Sequence, residues 1–166
     1  LVASNAGPSA SQKIRQSISN VTRGGNRVVT ADEEFATYVA QVLADQGLTN
    51  NVTVDRQKDG VNLVFSGGIF FESSSAQLTS EASALLASLE PVFKKIPPTY
   101  HIDVEGHADS APIHNQIYPS NWELSAARAG SVVRHLASVG IAPTQMRVVG
   151  YSETRHAGAD LQSNRR

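Results

Sequence analysis

Between positions 101 and 109 the chain reads His101-Ile102-Asp103-Val104-Glu105-Gly106-His107-Ala108-Asp109, its densest run of titratable side chains. Side chains on a strand alternate between faces, so a strand through this run puts His101, Asp103, Glu105, His107 and Asp109 on one side and Ile102 and Val104 on the other. Two imidazoles with three carboxylates form a donor set for a divalent cation. The competing reading is the wet face of a half-covered sheet. His107 and Asp109 fall where the strand should end, beside a Pro-containing loop, and binding groups concentrate on such loops. Further on, Asn121 and Arg128 are seven residues apart, which turns about 700° on a helix, close to two full turns. They share one side of that helix, at the flank of a stripe made by Trp122, Ala129, Val132, Val133 and Leu136. Arg128 then sits at the edge of the core, its head reaching a cleft or snorkelling to the surface. Asp109 and Arg128 together suit a zwitterion, with carboxylate to ammonium and guanidinium to carboxylate. From the residues alone, an internal salt bridge explains the pair as well.

Catalytic signatures are absent. The chain has no Gly-x-Ser-x-Gly, no Gly-x-Gly-x-x-Gly, no Walker loop, no His-Glu-x-x-His and no cysteine. Asp103 and Glu105, neighbours on one face of a short strand, have no evident way to flank a sugar bond. The expectation is a binding domain without enzymatic activity and without a cofactor.

The elements that must position these groups are legible in outline. Phe35, Tyr38, Val39 and Val42 recur at helical spacing after Thr30-Ala31-Asp32-Glu33, a capping-box pattern, and Gly47 marks a stop. Alternating residues from Asn51 to Asp55 and from Val61 to Phe65, on either side of Asp59-Gly60, predict a β-hairpin. Phe70-Phe71 is the aromatic anchor of a loop. One helix is expected from about Ser80 to Ile96, with Ala82, Leu85, Leu86, Leu89, Val92 and Phe93 on its buried stripe and Pro97-Pro98 at its end. A strand over Tyr100–His107, a helix within Pro119–Val139 opened by the Ser120-to-Glu123 capping box and closed by Gly140, and a strand over Met146–Tyr151 complete the set. That order predicts an α/β two-layer sandwich, with helices packed on one face of a mixed sheet.

The 166 residues carry 14 basic and 15 acidic side chains, a net charge of -1 that speaks against a nucleic-acid binder. The charge is unevenly placed. Residues 1–30 hold Lys13, Arg15, Arg23 and Arg27 and no acid, among many Ser, Gly and Asn. They are expected to be a flexible basic linker, either a plain solvated tether or one drawn to an anionic membrane or polymer. The folded part is then expected to open at Thr30. No apolar run approaches the ~20 residues of a spanning helix. The chain opens on Leu1, so it is expected to be a fragment or a processed form.

Four spaced stretches resemble a known family: Gly106-His107-Ala108-Asp109-Ser110-Ala111-Pro112-Ile113, Pro119 through Ala129 with its Asn121-Trp122-Glu123-Leu124-Ser125-Ala126-Ala127-Arg128, Val148 through Glu153, and Asn164-Arg165-Arg166. Together they resemble the OmpA-like peptidoglycan-binding domains, in the version carried by flagellar stator anchors of the MotB/PomB type. The resemblance covers roughly Val61 to Arg166, and it implies that residues 31–50 are a linker helix and residues 51–166 the OmpA-like domain. It implies that Asp109 binds the diaminopimelate ammonium of a wall stem peptide and Arg128 its carboxylate. Asn121 and Leu124 would line the site, Arg165 would approach from the C-terminal motif, and His107 falls within the motif. It further implies a homodimer, a MotA/PomA-type channel subunit as partner, and a periplasmic domain on a single-pass inner-membrane protein whose transmembrane helix lies outside these residues. The alternative within the family is the wall anchor of an outer-membrane porin or lipoprotein. Two departures stand out: Ala108 where the family commonly has Thr, and an end at Arg166 where the family continues into another strand.

Overall fold

The computed structural model describes residues 2–5, 31–57 and 60–154. Its sheet has five strands: β1 (Val2–Asn5), β2 (Val52–Gln57), β3 (Gly60–Phe65), β4 (Tyr100–Gly106) and β5 (Met146–Gly150). They lie in the order β2-β3-β1-β4-β5. All neighbours are antiparallel except β4 and β5, which run parallel with Val104 opposite Val148. The sheet is therefore mixed, as expected. The hairpin is also as expected, with β2 and β3 antiparallel and Gln57 opposite Gly60 as their last pair.

The helices are α1 (Ala31–Asp45), a single turn α2 (Gly67–Phe70), α3 (Ser80–Ser88), α4 (Glu90–Lys94) and α5 (Asn121–Ser138). The single helix expected over 80–96 is two. Pro91 has no N–H to give and its ring collides with the carbonyl of Ala87, four residues back, so the ladder breaks at Leu89. The apolar stripe survives the break: Ala82, Leu85, Leu86, Leu89, Val92 and Phe93 are all buried. They form one continuous core with Ile102 and Val104 of β4 and Ala129, Val132 and Leu136 of α5.

Two domain boundaries need correction. Residues 1–30 were expected to be linker throughout, yet Val2–Asn5 is the central strand, pairing with β3 on one side and β4 on the other. A strand in that place closes backbone hydrogen bonds along two neighbours at once, which local composition does not reveal. The basic residues Lys13, Arg15, Arg23 and Arg27 lie outside the described residues, as does the Thr30 cap. Likewise, α1 is not a separate linker helix. Its Ala36, Val39 and Leu43 belong to the core, and Leu43 is 2% exposed. Tyr38 lies under Lys95 with the ammonium 3.9 Å from the ring centre, and Glu33 reaches Arg56 at 3.2 Å. Burying Leu43 alone is worth about 2 kcal/mol, so α1 is part of the same folded unit as β2 to β5.

Candidate functional site

Helix α5 and the end of β4 build the site. Ser120 caps α5: its hydroxyl oxygen accepts from the Trp122 N–H at 3.2 Å and its proton goes to the Glu123 carboxylate. The hydroxyl is the main reason that the Glu123 carboxyl lies below its ordinary value. Beneath the helix, Gly106 and Gly150 let it approach the sheet. A Cβ on Gly106 would stand 1.9 Å from the Ser125 carbonyl oxygen, and one on Gly150 would stand 3.0 Å from the Ala126 nitrogen. Gly106 thus has no room for a side chain, and one at Gly150 would press on the α5 backbone. Ser125, fully buried, accepts from the Ser152 N–H at 3.0 Å and so ties α5 to the chain leaving β5.

Past Gly106 the chain leaves the sheet. Ala108 is buried and its N–H donates to the Ser152 carbonyl at 2.9 Å, so the backbone is fixed here without a side-chain hydroxyl. Asp109 follows, exposed at the rim. The loop from 109 to 111 is held by Asn121, whose amide donates to the Asp109 and Ala111 carbonyls, both at 3.1 Å. Asn121 is 6% exposed. It stands behind the loop that presents Asp109, and Leu124 is likewise buried rather than lining an opening. Arg165 lies outside the described residues.

Arg128 comes from the other wall. Its Nε donates to the Ser75 carbonyl at 2.9 Å and Nη2 to the Glu72 carbonyl at 3.2 Å. Its guanidinium carbon lies 5.2 Å from the centre of the Phe71 ring. Burial draws the Arg128 pKa below its ordinary value, while Asp109 and Tyr118 act in the opposite sense. Asp109 and Arg128 nonetheless form no direct ion pair within 4 Å among the described residues. Both line one open cavity of about 730 Å³ together with His107, Glu105, Phe71 and Asn62. The internal salt bridge that the residues alone left open is thus not made. An anion and a cation face the same space and feel each other across it.

His107 stacks on Tyr151 with ring centres 5.4 Å apart, and its Nε2 lies 3.8 Å from the Glu105 carboxylate. Asp103, by contrast, is spent on a two-pronged pair with Arg147 across the β4–β5 boundary, at 2.5 and 2.9 Å. No group of three His, Asp or Glu among the described residues stands close enough to hold a metal ion. Along β4, His101, Asp103 and Glu105 are half-buried on one face, with Ile102, Val104 and Gly106 buried opposite. Sequence reasoning missed Tyr118, Tyr151 and the Glu72 and Ser75 carbonyls. The Phe70-Phe71 pair was the one available signal for the wall that steadies Arg128.

A two-layer fold of this kind, with a cation and an anion presented from α5 and the β4 loop, defines a class of small binding domains. Residues 70–166 match the OmpA family, and the chain belongs to it. It is 37% identical over 124 residues to the uncharacterized protein YtxE of Bacillus subtilis, covering 74% of this chain and 50% of that one. It is 29% identical over 97 residues to motility protein B of the same organism, covering 58% and 37%. Among solved structures, a putative MotB-like protein from Desulfovibrio vulgaris superposes with a TM-score of 0.69 at 22% identity, covering 74% of this chain and 76% of that one. The cell wall anchor of the type VI secretion system from Pseudomonas aeruginosa superposes with a TM-score of 0.62 at 34% identity, covering 70% and 80%. The chain spans about half the length, or less, of the curated relatives it matches. No helix of the described residues is long and apolar enough to cross a membrane.

Proposed function

We propose that this domain is a non-catalytic, periplasmic anchor that binds peptidoglycan through the zwitterionic diamino acid of its stem peptide, and that the full protein fixes a flagellar motor stator to the wall. The observation that carries the binding reading is the unpaired opposition of Asp109 and Arg128 across one cavity. A guanidinium held by two backbone carbonyls keeps further N–H donors for a ligand carboxylate. Asp109, free of any ion pair among the described residues, accepts the ammonium. Arg128 is partly buried with no carboxylate paired to it among the described residues, which is unfavourable in the empty site, and a ligand carboxylate relieves it. His107, stacked on Tyr151, lines the same cavity.

The wall-binding level is supported by the OmpA family match and by 34% identity to a protein described as a cell wall anchor. The stator level is supported by the motility protein B relatives. In that role the full protein is a homodimer on a single-pass inner-membrane helix, partnered by a MotA/PomA-type channel subunit. Two linked sites then hold the wall by avidity even when each is weak.

The test is co-sedimentation with purified sacculi. Asp109→Asn and Arg128→Ala are each expected to lower the bound fraction several-fold while the melting temperature stays within a few degrees of the parent. If both variants sediment like the parent, the site is wrong. Swimming of cells carrying Asp109→Asn in the full-length gene addresses the stator level: normal motility with wall binding lost would separate the anchor from the motor.

A further inference from the structure

Six residues beyond Arg128, α5 carries a second arginine that the proposed site does not use. Ala127, Ser131 and Arg134 recur at i, i+4 and i+7, which keeps them on one helix face. With Tyr118 and Gln77 they line a second cavity of about 420 Å³. Arg134 is exposed, yet its guanidinium is held. Its Nη2 donates to Ser131 Oγ at 2.7 Å. Its Nη1 lies 3.7 Å from where a Cβ on Gly130 would stand, so the head folds back one turn along the helix, over Gly130. Ser131 is itself buried, and its hydroxyl donates to the Ala76 carbonyl at 2.5 Å, which leaves its oxygen free to accept from Arg134.

The electrostatics are one-sided. Among the described residues no carboxylate pairs with Arg134, and none of the side chains lining this cavity is acidic. Tyr118 lines the second cavity and favours the charged form of Arg128 at the first. Six residues advance about 9 Å along a helix but turn it by about 600°, so Arg134 leaves α5 on another side than Arg128. The two heads are brought near each other by consecutive carbonyls: Ser75 accepts from Arg128, Ala76 accepts from Ser131, and Ser131 in turn accepts from Arg134. An extended peptide of about three to four residues, at roughly 3.3–3.6 Å each, spans such a separation.

We infer that Arg134, with Tyr118 and Gln77 beside it, is a second carboxylate subsite, which takes another carboxylate of the same wall peptide whose diamino acid lies between Asp109 and Arg128. The inference rests on the wall-peptide reading of the first cavity. Stem peptides carry two further carboxylates within that reach, on the isoglutamate and at the C-terminus. A planar fork held in place is suited to one of them, because little side-chain freedom remains to be lost on binding.

Calorimetric titration of the protein with a stem-tetrapeptide muropeptide tests this, using three forms: unmodified, amidated at the isoglutamate, and amidated at the C-terminus. Arg134→Ala is expected to weaken binding of the unmodified form about fivefold to tenfold. Against one of the two amidated forms, parent and Arg134→Ala are expected to bind alike. If Arg134→Ala binds the unmodified form like the parent while Arg128→Ala loses it, the second subsite falls and the first stands. If Arg134→Ala weakens all three forms equally, Arg134 recognises no carboxylate and the inference is overturned. If the parent binds none of the three, both readings fall together.

Discussion

Arg128 shows how a single side chain is made useful by what surrounds it. Two of its donors are satisfied by the Ser75 and Glu72 carbonyls, and Phe71 supports its face. Its direction is thus set before any ligand arrives, which reduces the entropy lost on binding. Asn121 does the same for the opposite wall by holding the loop that carries Asp109. Asn121→Ala would leave two carbonyls without their donor and is expected to cost about 1–3 kcal/mol. Thermal denaturation would show that loss, and sacculus binding should fall with it although Asn121 need not touch the ligand. Glu123 supports a prediction about pH. Its carboxyl lies below its ordinary value, first because the Ser120 hydroxyl donates to it, and its place in the first turn of α5 favours the anion further. A depressed carboxylate stabilises the fold above its unfolded value and loses that contribution as pH falls through its folded value. Glu123→Gln should therefore lower the melting temperature slightly at neutral pH. The gap to the parent should close on acidification below 4.5, the ordinary value. A gap that persists in acid would assign the effect to packing instead.

The central element is α5, pressed onto β4 and β5 so closely that Gly106 has no room for a side chain. The Gly106 and Gly150 positions therefore belong to the placement of the site as much as Asp109 does. Gly106→Ala is expected to push α5 from the sheet and cost about 3 kcal/mol or more. That corresponds to a fall of roughly 10 °C in melting temperature for a domain of this size. A variant melting with the parent would mean that the helix rides higher than described. Much of α5 was legible beforehand: the cap at Ser120, the stop at Gly140 and the buried Ala129, Val132 and Leu136 all follow from local pattern. Trp122 was not. It stood in the expected stripe, yet it is 52% exposed, while Asn121, Leu124 and Ser125 on either side of it are buried. The break at Leu89 was readable from Pro91, but an uninterrupted apolar stripe conceals it, since two short helices on one line bury the same side chains as one long helix.

At the scale of the molecule, the near-neutral charge and the uneven distribution of basic residues suggested a tether followed by a domain. The chain instead folds α1 into the core and sets Val2–Asn5 between β3 and β4. Leu43→Ala is accordingly expected to destabilise the whole domain by about 2–5 kcal/mol. Urea denaturation followed by both fluorescence and circular dichroism should show one shared, shifted transition. Loss of helix signal ahead of an unchanged main transition would restore α1 to the role of a separate linker helix.

The sequence by itself determined α1, α5, the hairpin, the layered class and the two charges that oppose each other, because caps, turn residues and periodicity act within a few residues along the chain. Its likeness to the OmpA family was carried by the same local stretches. Tertiary structure alone decided that Asp109 and Arg128 face a shared cavity without bonding to each other. It also decided that Phe71 and the Glu72 and Ser75 carbonyls steady Arg128, and that a four-residue strand from the far end of the chain completes the sheet. Each of these depends on groups brought together across tens of residues of sequence. Their partners are chosen by the space and unpaired backbone left over when the local elements pack, which no local pattern encodes.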